Sequence, residues 1–135
     1  MILVTEDHVG TRRALVRLLK HYGFESVGVE DGAQALLFLR THTPRLMILD
    51  YAMPGMTGLD VLRAMQAEPR LREIPVLMFS AYDSGPLRAE AMRLGACDYL
   101  VKGSLNWESL ATHVRKHARA ARVDPPPVDA APRWL

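Results

Sequence analysis

Five residues able to do chemistry together each follow a short apolar run of the chain. Glu6 and Asp7 come after Ile2-Leu3-Val4, Asp50 after Leu46-Met47-Ile48-Leu49, Ser80 after Val76-Leu77-Met78-Phe79, and Lys102 after Tyr99-Leu100-Val101. Three carboxylates brought together repel and raise one another's pKa unless a cation joins them. Hard oxygen donors with open positions suit Mg²⁺ or Mn²⁺, which keep waters and take phosphate oxygens as further ligands. A cation so held offsets charge on a transferring phosphoryl group while Asp50 supplies a nucleophilic oxygen. Lys102 can pair with Asp50 and then with a phosphate oxygen, and Ser80 offers a short hydroxyl donor to the same group. Any one of the five, taken alone, is more simply a solvated loop residue. All five at the ends of such runs make coincidence a poor account.

The elements that must position them follow from periodicity. With Ser26-Val27-Gly28-Val29 included, five short β-rich runs alternate with helical patterns. Three runs are continuously apolar, as in strands covered on both faces. The first helical pattern carries Leu15, Leu18, Leu19 and Tyr22, with Gly23 as its stop. The second covers Ala33 to Arg40. The third opens at Thr57-Gly58-Leu59-Asp60, which matches a capping box. A fourth follows Ser84-Gly85-Pro86 with Leu87, Ala91 and Leu94. The last carries Trp107, Leu110, Ala111, Val114 and Ala118 as an apolar stripe. The pattern predicts an α/β, doubly wound, flavodoxin-like (βα)5 fold, with a parallel five-stranded sheet in the order 2-1-3-4-5. In such a sheet ligands bind beyond the carboxyl ends of the strands, where strand order reverses. Glu30 and Asp31 end the second strand, at the sheet edge and away from that point.

Composition sets outer bounds. At 135 residues, with 49% apolar and 24% charged residues, the chain fits one soluble domain. A net charge of +2 argues neither for nor against nucleic acid. The single cysteine, Cys97, allows no internal disulfide and reads as a small buried hydrophobe. Neither a signal peptide nor a membrane span is evident, so a cytoplasmic location is expected. Residues 1–122 read as the domain, and the proline-rich 123–135 as a tail or linker.

These residues resemble the receiver domains of two-component signalling, in the manner of chemotaxis regulators. Glu6-Asp7 match the acidic pair, Asp50 the phosphoacceptor, Ser80 the hydroxyl, Tyr99 the switch aromatic and Lys102 the basic residue. Asp50-Tyr51-Ala52-Met53-Pro54-Gly55-Met56-Thr57-Gly58, Ile74-Pro75-Val76 and Gly95-Ala96-Cys97-Asp98-Tyr99-Leu100-Val101-Lys102 resemble family segments, and the match runs from about Ile2 to Arg119. The resemblance implies phosphoryl transfer from a histidine kinase or histidine phosphotransfer protein. It also implies a cation held by Glu6, Asp7, Asp50 and the main-chain carbonyl of Ala52. Ser80 and Tyr99 would then move inward and remodel a protein-binding face built from the fourth helix, fifth strand and fifth helix. By the same resemblance the chain is a signalling module rather than an enzyme. A downstream protein partner is expected and a homodimer is allowed, whereas direct contact with nucleic acid or membrane is not expected.

Two departures bear on function. Gly103 stands where the family usually has proline, often after a cis bond, which leaves the loop geometry after Lys102 open. Ala52 and Tyr82 occupy the positions two beyond Asp50 and two beyond Ser80, which the resemblance ties to loss of the phosphoryl group. Alanine cannot orient a water, and tyrosine is bulky, so a long-lived phosphoryl state is expected. Weaker signals remain. His113 and His117 lie one helical turn apart, but with no third ligand in view they read as solvated helix residues. Together with Arg115, Lys116, Arg119 and Arg122 they form a basic helix end, suited to the helix dipole or an acidic partner. Trp134 reads as an exposed anchor or a disordered residue, and Met53 and Met56 as loop packing.

Two other classes compete with the phosphorylated signalling module. A pseudo-receiver would keep the fold as a binding scaffold not controlled by phosphorylation, and only Gly103 favours it. A hydrolase passing through an aspartyl phosphate would want a second catalytic acid near Asp50, where the chain has Ala52.

Overall fold

The computed structural model describes residues 1–104 and 106–118. The tail and Trp134, Arg119 and Arg122 lie outside these, so the expected boundary near residue 122 does too. The elements run β1 (Ile2–Thr5), α1 (Val9–His21), β2 (Ser26–Val29), α2 (Gly32–Leu39), β3 (Leu46–Leu49), α3 (Gly58–Gln66), α4 (Pro69–Arg72), β4 (Val76–Ser80), α5 (Gly85–Arg93), β5 (Asp98–Val101), a 3₁₀ turn (Lys102–Ser104) and α6 (Trp107–His117). All strand pairs are parallel, in the order β2-β1-β3-β4-β5. This is the predicted flavodoxin-like architecture.

Alternation along each strand builds two cores, because successive side chains point to opposite faces. Ile2, Val4, Leu46, Ile48, Leu77, Phe79 and Leu100 meet Leu15 and Leu19 of α1 and Leu110 and Val114 of α6. Leu3, Met47, Leu49, Val76, Met78 and Tyr99 meet α2, α3, α4 and α5 through residues such as Leu39, Leu62, Leu71 and Ala91. A continuously apolar strand is what this double covering demands. Each fully buried leucine here contributes about 1.5–3 kcal/mol relative to exposure.

The helix starts are built by side chains. Asp31, Thr57, Ser84 and Asn106 each accept a hydrogen bond from a main-chain N–H three residues on. The predicted capping box is present: Thr57 Oγ1 accepts from the Asp60 N–H at 3.2 Å, and Asp60 Oδ2 from the Thr57 N–H at 3.0 Å. Gly23 closes α1 with φ of 87°. Two details differ from the sequence reading. The one-turn helix α4, started by Pro69 at its first turn, is too short to leave a periodic signal, and it shifts the numbering so that the expected fourth and fifth helices are α5 and α6. Trp107, placed by its spacing on the buried stripe, is half exposed on the first turn of α6.

Candidate functional site

Strand β1 ends one residue before Glu6, and β3 one residue before Asp50. The two strands are paired neighbours with Thr5 opposite Leu49, so Glu6 and Asp50 leave the sheet side by side. Ser80 is the last residue of β4, aligned with Val101, and Lys102 follows directly. The sheet therefore delivers all four to one rim. Glu6, Asp50 and Ser80 are buried, Asp7 is exposed, and Lys102 is intermediate. Carboxylate oxygens of Glu6, Asp7 and Asp50 lie within 4.8 Å of one another.

Lys102 bridges this acidic rim unevenly. Its Nζ lies 2.5 Å from Glu6 Oε1 and 3.4 Å from Asp50 Oδ1. The expected Lys102–Asp50 pair is thus the longer of two contacts, and Glu6 is the principal partner. Burial holds the Glu6 carboxyl above its ordinary pKa, and the adjoining Asp50 carboxylate adds to this. Lys102 opposes both and does not cancel them. Glu6 Oε2 is buried with no hydrogen-bond partner. A buried, unsatisfied carboxylate oxygen facing two further carboxylates is the donor set of a hard divalent cation, and these residues fit one. Ala52 is exposed in the loop after Asp50, where its carbonyl could join that set.

The expected switch residues are joined through one segment. Ser80 Oγ accepts from the Tyr82 N–H at 3.0 Å, and the Tyr99 hydroxyl donates to the Tyr82 carbonyl at 2.6 Å. The Tyr99 ring points inward and is only 1% exposed. The Tyr82 ring is exposed and stands edge-on to Tyr51, the residue after Asp50, at 5.8 Å between centroids. After Lys102 the chain turns in a 3₁₀ helix, and the described residues contain no cis peptide bond. Gly103 therefore leaves Lys102 aimed at the acidic rim.

Sequence reasoning missed three positioning side chains. Arg12, on the first turns of α1, donates to the carbonyl oxygens of Glu6 at 2.9 Å and Asp7 at 3.3 Å, pinning the acidic loop. Arg88 of α5 donates to the Tyr99 carbonyl at 3.0 Å and stacks over its ring at 5.0 Å. Neither has a local spacing that would betray it. Asp98 is the third: its Oδ2 lies 3.2 Å from His113 Nδ1 and 3.1 Å from His117 Nε2. The reading of those histidines as solvated and without a third ligand is thereby corrected, since only the packing of α6 on β5 joins them to Asp98. Cys97 is partly rather than fully buried, and burial together with the Asp98 charge pushes its thiol up to about 11. Met53 and Met56 do pack against the core, as expected.

Residues 2–115 match the family described as the response regulator receiver domain. The chain belongs to that family. This receiver domain is 38% identical over 102 residues to the chemotaxis protein CheY of Pseudomonas aeruginosa, covering 75% of this chain and 82% of the relative. It is 33% identical over 128 residues to the DNA-binding response regulator MtrA of Mycobacterium tuberculosis, covering 95% of this chain. Here the chain spans about half (54%) of the longer relative. Among solved structures it is similar to the response regulator TrrA of Thermotoga maritima in complex with Mg²⁺ and BeF, with TM-score 0.76, 30% identity, and coverage of 85% and 96% of the two chains. Receiver domains of this family are signalling modules that interact with histidine kinases and downstream effectors. Because the relatives include DNA-binding regulators, the expectation of no nucleic-acid contact gains no support. Among the described residues, no helix is long and apolar enough to cross a membrane.

Proposed function

We propose that this receiver domain takes a phosphoryl group onto Asp50 from a phosphohistidine donor and uses it to switch a protein-binding face. The observation that carries the reading is the convergence of Glu6, Asp7, Asp50 and Lys102 at one rim, with Glu6 Oε2 left unsatisfied. A divalent cation, Mg²⁺ or Mn²⁺, would be held by Glu6, Asp7, Asp50 and the Ala52 carbonyl, and when bound it supplies positive charge against the phosphoryl oxygens. An Asp50 carboxylate oxygen forms the new P–O bond as the P–N bond of the donor breaks, and the departing imidazole takes up a proton. Lys102 then exchanges carboxylate contacts for a phosphoryl oxygen, and the Ser80 hydroxyl donates to another.

The Ser80 hydroxyl that would donate to that oxygen also accepts the Tyr82 N–H, and the Tyr82 carbonyl holds Tyr99. The two-state element is therefore the stretch from Ser80 to Ser84, and the surface it remodels is α5, β5 and α6. Such coupling is typically worth about 1–3 kcal/mol. The donor is a cytoplasmic histidine kinase or histidine phosphotransfer protein, and the downstream partner is a protein that reads this face. The test is incubation with Mg²⁺ and acetyl phosphate followed by intact mass. One added phosphoryl group on the native chain and none on Asp50→Asn supports the proposal. No adduct would point to a scaffold independent of phosphorylation, and sustained turnover to a hydrolase.

A further inference from the structure

At the opposite end of β5 from Lys102, roughly 13 Å along the chain, lies a second group of potential ligands with different chemistry. Asp98 opens β5, and His113 and His117 lie one turn apart on α6. Both imidazoles converge on one atom. Asp98 Oδ2 is 3.2 Å from His113 Nδ1 and 3.1 Å from His117 Nε2. One ligand atom from each of the three residues falls within 4.8 Å of the other two. The histidine rings are nearly parallel, 11° apart with centroids at 6.5 Å.

From this arrangement we infer that Asp98, His113 and His117 form a binding site for a divalent transition metal of the zinc type. The donor set decides the class. Two imidazoles and a carboxylate suit Zn²⁺, Co²⁺, Ni²⁺ or Cu²⁺, whereas Mg²⁺ prefers the all-oxygen rim at the other end of the strand. Spacing agrees. Bonds of about 2.0–2.1 Å to a tetrahedral ion set ligand atoms about 3.3–3.4 Å apart, close to the two separations observed here. The carboxylate is also oriented from behind, since Asp98 Oδ1 accepts the Tyr99 N–H at 2.9 Å. All three residues are partly exposed, which leaves access for an ion and a fourth position for water.

Two hydrogen bonds to one oxygen would be the simpler account of the same geometry. It leaves both ring nitrogens within reach of an ion that replaces the shared proton positions, so the two accounts differ in a measurable way. An ion here would staple α6 to the first residue of β5, immediately before Tyr99. Metal availability would then bias the same face that the phosphoryl group is proposed to remodel, although the site itself does not depend on that proposal.

The experiment is titration of the full chain with Zn²⁺ by calorimetry, and with Co²⁺ by visible absorption. The native chain, Asp7→Asn, His113→Gln, His117→Gln and Asp98→Asn are compared, each first checked for native circular dichroism. The site predicts one equivalent bound, retained in Asp7→Asn and weakened tenfold or more in each of the other three variants. Imidazole ¹⁵N spectra provide a second measurement, in which zinc shifts Nδ1 of His113 and Nε2 of His117. Binding that survives both histidine substitutions, or that disappears with Asp7→Asn alone, overturns the inference, as does the absence of any binding in the native chain.

Discussion

Lys102 stands closer to Glu6 than to Asp50, at 2.5 Å against 3.4 Å. Glu6 is 2% exposed, so this contact is the main compensation for a carboxylate taken out of water. Removing the ammonium leaves that carboxylate poorly paired. Lys102→Met is expected to lower stability at pH 7.5 by about 1–3 kcal/mol, with a smaller loss at a more acid pH, as the Glu6 carboxyl takes up its proton. Urea midpoints at the two pH values measure this. Equal losses at both would show that Glu6 is not the group involved.

The raised Glu6 pKa has its own pH signature. A native carboxyl that holds its proton more tightly than the unfolded chain carries more protons above the ordinary value of 4.5. Its contribution to stability is then fully present below that value and declines as pH rises through the folded pKa. The stability difference between the native chain and Glu6→Gln should fall across that window in the absence of divalent ions. Added Mg²⁺ should flatten the slope. A difference that grows with pH would reverse the sign assigned here.

Gly58 sits against the loop that follows Asp50. A Cβ there would lie 2.5 Å from the Asp50 carbonyl oxygen and 2.9 Å from Met78 Cε. Main chain cannot yield as a flexible side chain can, so Gly58→Ala is expected to cost about 1–3 kcal/mol and to slow phosphoryl uptake by shifting Asp50. Thermal unfolding together with an acetyl phosphate time course tests both parts.

The Tyr99 hydroxyl donates to the Tyr82 carbonyl from a buried ring. Tyr99→Phe keeps the ring and removes the donor, with an expected loss of about 0.5–1.5 kcal/mol. Amide exchange should quicken selectively in residues 81–84. Unchanged exchange in that segment would separate Tyr99 from the proposed two-state element.

Phosphoryl lifetime is expected to depend on Ala52 and Tyr82. The first has no side chain able to hold an attacking water, and the second places an exposed ring beside Tyr51. Ala52→Asn and Tyr82→Ala should each shorten the phosphorylated state, followed by intact mass after removal of the donor. A native chain that loses the group within seconds would defeat this expectation.

Much of this protein is written locally. Continuous apolar runs such as Leu46–Leu49 announce doubly covered strands, and Thr57 with Asp60 announces a helix start, because strand burial and capping depend on neighbours in sequence. Alternation of those elements leads to the sheet order, and the sheet order brings Glu6, Asp50, Ser80 and Lys102 to one rim. Other features have no local signature. The preference of Lys102 for Glu6, the grip of Arg12 on the acidic loop, and the joining of Ser80 and Tyr99 through Tyr82 depend on side-chain reach across packed elements. The Asp98, His113 and His117 group is the clearest case. Helical spacing pairs the two histidines, but the carboxylate they share comes from a strand, and only the packing of α6 on β5 sets it between them. Sequence by itself determined which groups stand at the strand ends, since strand and turn preferences act over a few residues. Tertiary structure alone decided which of those groups touch, since hydrogen bonds and ion pairs form only within about 3–4 Å.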